Sequence, residues 1–307
     1  MKIAIIGAGN VGSLTAMRLA QEGAGEILLV DIVKGLAEGK AFDIQDARQA
    51  LKADYDIKGS ADIGDIAGCD IVVFTAGLAR KPGMTREELL NKNASIVRGV
   101  SLDIKRFAPE AVVIVVTNPL DLMTRLVLEA TGFKRERVFG MGLSLDASRF
   151  ANIISEELKV ALSDIEPCVI GSHGEGMMPL ARFTIIKGIP LDEIIDDEKA
   201  AVLIKRTVAR GHEIVTLLGS GSAYFAPSAA ITAMVKAVVK DEKRLIGACV
   251  SLKGEYGIND ACLGVPCRIG REGIEGIVEL GLDLHQKERL LEVAAKLKEQ
   301  YRGIALT

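Results

Sequence analysis

Lys2-Ile3-Ala4-Ile5-Ile6 runs straight into Gly7-Ala8-Gly9-Asn10-Val11-Gly12. The first five residues read as a short apolar strand, and a helical stretch follows the glycines to about Glu22. Glu26 to Val30 is the next strand, and it ends on Asp31. A G-x-G-x-x-G pattern alone is a weak signal. Here it lies between a strand and a helix, with a second strand and an acid behind it. Gly7 permits the tight turn, Gly9 lets a pyrophosphate approach the backbone, and Gly12 lets the helix pack close to the strand. Ala8, Asn10 and Val11 complete the candidate cofactor-binding turn, with the helix N-terminus facing the phosphates. Asp31 comes about 20 residues after the glycines, where a carboxylate accepts from the adenosine ribose hydroxyls. The same charge repels a 2′-phosphate, so NAD is favoured over NADP. Lys34, close by, works against that preference.

Outward from this unit the pattern repeats. A helix over about Leu36 to Leu51 leads to a weak strand near Tyr55–Ile57, then to the apolar strands Asp70–Phe74 and Val112–Val116. Continuous apolar strands between helices predict a parallel sheet covered on both faces, with ligands outside the carboxyl ends. The loop Thr75 to Arg86 leaves one such end carrying Arg80, Lys81 and Arg86, punctuated by Pro82 and Gly83. Thr117-Asn118-Pro119 leaves another, and the Asn118–Pro119 bond is expected to be cis. The expectation is an α/β chain: a Rossmann-type doubly wound parallel sheet over residues 1–143, then a mixed α+β substrate domain over 144–307. The domains are expected to pack tightly around a site between them.

Composition narrows the function. The chain has 307 residues and a net charge of −3, which gives no global attraction to nucleic acid or an acidic membrane surface. No apolar run approaches the roughly 18 residues of a membrane span, and the first strand is too short for a secretory signal. The cytoplasm is therefore the expected compartment. Five cysteines, an odd number, predict reduced, buried thiols. Cys262 and Cys267 lack the second pair that would complete a metal site, so none is expected.

In the second half, Ser144 or Asp146 is expected to cap a helix running to about Leu158. Cys168–Gly171 reads as a strand entering Ser172-His173-Gly174-Glu175, and Ala181–Ile186 as another before a turn at Lys187-Gly188. Helices over 197–218 and 225–240, strands near 245–251 and 261–269, and a final helix over 285–301 complete the reading. Only three histidines exist. His285 is expected to be exposed, and His212 to pack within its helix. His173, flanked by Gly171 and Gly174, is the candidate proton carrier. Asp146 and Arg149 share a helix face. One can orient His173 while the other holds an anion, the alternative being a plain surface ion pair. A carboxylate on the imidazole fixes its tautomer, and the arginine fork matches a substrate carboxylate.

Six motifs in order resemble the lactate/malate dehydrogenase family, and within it the lactate-dehydrogenase-like malate dehydrogenase branch. They are the glycine turn, Asp31, Arg80 to Arg86, Thr117-Asn118-Pro119-Leu120-Asp121, Leu145-Asp146-Ala147-Ser148-Arg149 and Gly171-Ser172-His173-Gly174-Glu175. The resemblance covers essentially the whole chain. It implies that His173, paired with Asp146, carries the proton and that Arg149 grips the substrate C1 carboxylate. It also implies that Asn118 bonds the reacting oxygen, which Arg86 polarises when the loop closes, and that Asn93 and Val116, Thr117 and Asn118 touch the cofactor. A homo-oligomer is implied, a tetramer rather than a dimer.

Arg80 discriminates substrates in this resemblance, because lactate enzymes usually carry glutamine at the matching position. An arginine closed over pyruvate's methyl is left buried and unpaired, at a cost of roughly 2–5 kcal/mol. That corresponds to discrimination on the order of 30- to several-thousand-fold. The expected reaction is (S)-malate + NAD⁺ to oxaloacetate + NADH + H⁺. Three rivals are another 2-hydroxy acid such as lactate, an NAD-dependent metal-assisted glycosidase, and a dinucleotide sensor without catalysis. Arg80 argues against the first, the missing cysteine-histidine metal cluster against the second, and the intact His173–Asp146–arginine set against the third.

Overall fold

The computed structural model describes residues 1–78 and 86–305. In the first half the elements are β1 (Lys2–Ile6), α1 (Asn10–Gln21), β2 (Glu26–Val30), α2 (Leu36–Asp46), the one-turn α3 (Arg48–Leu51), β3 (Ile57–Ser60), β4 (Ile71–Phe74), α4 (Arg86–Phe107), β5 (Val112–Val115), α5 (Leu120–Thr131) and β6 (Val138–Gly140). The six strands are parallel, in the order β3-β2-β1-β4-β5-β6. This is the doubly wound sheet expected from the apolar runs. Its winding reverses between β1 and β4, so a crevice opens beyond their carboxyl ends. Alternate side chains feed two cores. Ile3, Ile5, Ile71 and Val73 pack on one face, and Ala4, Ile6, Val72 and Phe74 on the other.

The second half contains α6 (Leu143–Leu158), β7 (Ile165–Glu166), β8 (Val169–Gly171), β9 (Met177–Pro179), β10 (Ile185–Ile186), β11 (Ile189–Pro190), α7 (Leu191–Ile194), α8 (Asp197–Leu218), α9 (Phe225–Val239), β12 (Arg244–Lys253), β13 (Asn259–Gly270), β14 (Gly273–Ile277) and α10 (Leu284–Ala305). It is mixed α+β, as expected, but it does not build a separate sheet. β12 pairs antiparallel with β6 through Cys249 and Gly140, and the sheet continues through β13, β8 and β9. The strand that leads into His173 therefore belongs to the same sheet as the strand that leads into the glycine turn.

Several local expectations change. The helix over 36–51 breaks at Ala47 into α2 and α3. The strand expected at 55–57 instead covers Ile57–Ser60. α2 lies so close that a Cβ on Gly59 would stand 2.3 Å from the Ala37 carbonyl carbon. Residues 181–186 form a 3₁₀ turn, Ala181–Phe183, and only Ile185–Ile186 pairs, between β7 and β11. α6 starts at Leu143 with Gly142 at its N-cap and no side-chain cap, so neither Ser144 nor Asp146 caps it. His212 is exposed on α8 rather than packed, while His285 is exposed as expected. All five cysteines are free, Cys168 half-buried and the other four buried. Among the described residues no helix is long and apolar enough to cross a membrane.

Candidate active site

At the carboxyl end of β1 the chain turns at Gly7, with φ +108°. A Cβ on Gly7 would stand 2.6 Å from Thr75 Oγ1, and one on Gly12 would stand 1.9 Å from the Gly7 carbonyl oxygen. Both glycines are thus required by close packing between β1, α1 and β4. Gly9 differs: a Cβ there would meet nothing within 4 Å. It caps α1 without a side-chain hydrogen bond, so first-turn N–H groups face open space. The Asp31 carboxylate accepts from the Ala8 N–H at 2.7 Å and the Val33 N–H at 3.0 Å. Each oxygen keeps lone-pair capacity for a ribose hydroxyl. Uncapped amides, open space and a waiting acid fit a dinucleotide. Lys40 on α2, not anticipated from the sequence, donates to the Ala8 carbonyl at 2.5 Å and steadies the turn.

The opposite wall follows β4 and β5. Asn93 on α4 is buried. Its Oδ1 accepts from the Leu78 N–H at 2.8 Å, and its Nδ2 donates to the Asn118 carbonyl at 3.0 Å. It ties the start of the arginine loop to the β5 exit. Thr117 is buried and donates to the Ala76 carbonyl at 2.7 Å, so its hydroxyl braces the wall. Val116 is half-buried, Asn118 is exposed, and the Asn118–Pro119 bond is cis. Arg80 and Lys81, and the side chain of Arg86, lie outside the described residues.

The proton-handling groups come from three more elements. β8 ends in Gly171, φ +98°, and Gly174 has φ +99°. These two left-handed residues close a turn back to β9, with Ser172 N–H bonded to the Gly176 carbonyl. His173 projects from that turn, and its Nδ1 lies 2.7 Å from Asp146 Oδ2. A carboxylate only accepts, so Nδ1 carries the hydrogen and Nε2 is the ring nitrogen left without one when the imidazole is neutral. Asp146 is fully buried on α6, and its Oδ1 accepts from Arg149 Nη1 at 3.1 Å. One carboxylate therefore orients both the histidine and the arginine. The surface-pair alternative for Asp146 and Arg149 is not what forms. Arg149 Nε is buried without a partner, leaving a donor for an anion. The guanidinium lies against α8, where a Cβ on Gly211 would stand 3.3 Å from Nη1. Burial pushes the His173 pKa down. Asp146, by charge and hydrogen bond, and Asp121, by charge, outweigh burial and leave the pKa above its ordinary value.

Asp121 is the residue that chain-order reading passed over. It sits buried in the first turn of α5 and accepts the His173 backbone N–H at 3.0 Å through Oδ2. Its place two residues after Pro119 was visible, but nothing in the spacing linked it to His173, 52 positions away.

Comparison with known proteins meets this geometry. The family model for the lactate/malate dehydrogenase NAD-binding domain matches residues 1–140, and that for the α/β C-terminal domain matches 144–305. A malate dehydrogenase of Methanosarcina mazei is 48% identical over 97% of each chain. The apo malate dehydrogenase of Picrophilus torridus superposes with TM-score 0.94 at 40% identity, covering 99% of this chain and 96% of that one. A lactate dehydrogenase of Cryptosporidium parvum, solved with lactic acid and its nicotinamide cofactor, gives TM-score 0.95 at 33% identity over 100% and 98% of the two chains. An open glycine turn answered by a carboxylate-held histidine on one continuous sheet, matched from end to end by these relatives, places the chain in the lactate/malate dehydrogenase family of NAD-dependent oxidoreductases.

Proposed function

We propose that this chain interconverts (S)-malate and oxaloacetate with NAD, His173 moving the proton. The observation that carries the reading is the buried Asp146 carboxylate shared between His173 and Arg149. A nicotinamide cofactor held by the Gly7–Gly12 turn and Asp31 would supply the hydride acceptor or donor for the substrate C2. Arg149 grips the C1 carboxylate, and its Nε has no hydrogen-bond partner within the protein. In reduction, protonated His173 donates from Nε2 to the ketone oxygen while Asp146 stabilises the imidazolium. In oxidation, neutral His173 takes the hydroxyl proton. Asn118 bonds the reacting oxygen, and Arg86 polarises it. Asp31 and the Gly7–Gly12 turn hold the adenosine and pyrophosphate.

Arg80 sets the substrate in this reading, by pairing with the second carboxylate of oxaloacetate. Relatives named malate dehydrogenase along nearly the whole chain support that choice over lactate. The lactate dehydrogenase of the same fold makes a direct test necessary. The test is NADH oxidation with oxaloacetate or pyruvate, repeated with NADPH and with Arg80→Gln. Oxaloacetate with NADH should be the preferred pair, and Arg80→Gln should lose on the order of 30-fold or more in kcat/KM for oxaloacetate. A variant as active as the parent would sink the substrate assignment.

The proposal includes a division of labour, with residues 1–143 holding the cofactor and 144–307 the substrate and the subunit contacts. It also includes a cytoplasmic homotetramer, in preference to a dimer. Light scattering on the purified enzyme distinguishes the two.

A further inference from the structure

Asp121 is the buried group for which the reaction above has no use. It is 6% exposed, and apart from the neighbouring Cys249 thiol its Oδ1 meets no donor. A buried carboxylate oxygen so weakly partnered is costly and calls for an explanation. Its Oδ2 takes the His173 backbone N–H at 3.0 Å, while Asp146 takes the ring Nδ1–H, so two buried carboxylates hold one histidine at different points. The charged and titratable groups facing it are His173 from the β8–β9 turn, Asp146 from α6 and Cys249 from β12. Cys262 on β13 stands behind Cys249, and Arg149 completes the set around His173.

We propose that Asp121 is a positioning residue for the proton transfer, fixing the His173 backbone and adding a second negative charge near its imidazolium. The inference rests on His173 being the proton carrier. Position in the first turn of α5 supports it, because a helix N-terminus favours an anion. The two carboxylates divide the work: Asp146 fixes the tautomer through the ring, and Asp121 anchors the main chain that carries it. Burial pushes the Asp121 pKa up to about 6, against the Cys249 thiol, the His173 charge and the His173 N–H, which favour the ionised form. When ionised, Asp121 raises the His173 pKa and so helps the imidazole keep its proton.

The test is Asp121→Asn, which keeps an oxygen for the His173 N–H and removes the charge. The alkaline limb of oxaloacetate reduction should move down by about one pH unit. Activity should fall about tenfold above the parental limb and stay within about twofold at pH 6. KM for oxaloacetate and the NADH Kd should be unchanged. A uniform loss at every pH, or an unmoved limb, would overturn the proposal. Failure of the His173 reading itself is separable, because a His173→Asn enzyme would then stay active whatever Asp121 does.

Discussion

The glycine turn and the proton-handling cluster are built on opposite plans. The turn is a contiguous stretch, Gly7 to Gly12, and its requirements are backbone ones: two glycines where a Cβ would collide, and one facing open space. The cluster gathers Asp121, Asp146, Arg149, His173 and Cys249 from four separate segments of the chain, and its requirements are side-chain and electrostatic. A backbone device is written locally and fails by steric clash. A side-chain device is written across the fold and fails by loss of charge or orientation. Binding and proton transfer should therefore separate under mutation.

The largest separation should come from His173→Asn. Turnover in both directions should fall roughly 10²–10⁴-fold, while fluorescence titration shows an unchanged NADH Kd. A parallel loss of NADH affinity would break the comparison. Next in size is a stability effect confined to the cluster. Asp121 has a folded pKa raised from 3.8 to about 6, so the folded state binds its proton more tightly than the unfolded chain. Ionisation therefore costs stability above about pH 6, on the order of 2–3 kcal/mol, and the cost fades as pH falls toward 3.8. Asp121→Asn should be the more urea-resistant protein at pH 8, with the gain shrinking below pH 6. Equal resistance at pH 8 would mean that the buried charge is tolerated without cost.

Gly12→Ala tests the turn. Its Cβ would need space now held by the Gly7 oxygen at 1.9 Å. NADH affinity should weaken roughly 10- to 100-fold, with turnover at saturating NADH little altered. The smallest expected effect is Gly211→Ala, which presses on Arg149 Nη1 from 3.3 Å. KM for oxaloacetate should rise about two- to tenfold and NADH binding should not move. Together the two glycine variants show whether close packing at each site serves the ligand assigned to it.

The same contrast explains what could be read in advance. The strands β1, β2, β4 and β5 announce themselves as apolar runs, and the glycine turn follows from their order. β3 was misplaced because Ile57-Lys58-Gly59-Ser60 has little apolar signature; its Gly59 is there for α2. α5 and the three-residue β6 went unread, since a strand of Val138-Phe139-Gly140 is too short to show a period. His212 sits where a helix interior was expected, and only the packing of α8 reveals which face is outward. His173, Asp146 and Arg149 were found by residue type and motif order, and their meeting follows from one sheet running through both halves. Asp121 is visible as part of a motif, but its bond is to a backbone N–H that no side-chain pattern encodes.

The account stands most directly on the state of His173 during hydride transfer. Pre-steady-state reduction of oxaloacetate by NADH, with deuterated NADH used to show that transfer limits the observed phase, should be fastest at low pH. It should fall as pH rises through a His173 pKa that Asp146 and Asp121 hold above its ordinary value. Malate oxidation should rise through the same pKa. A hydride-transfer rate independent of pH from 5 to 9 would contradict the assignment of His173 as the proton carrier.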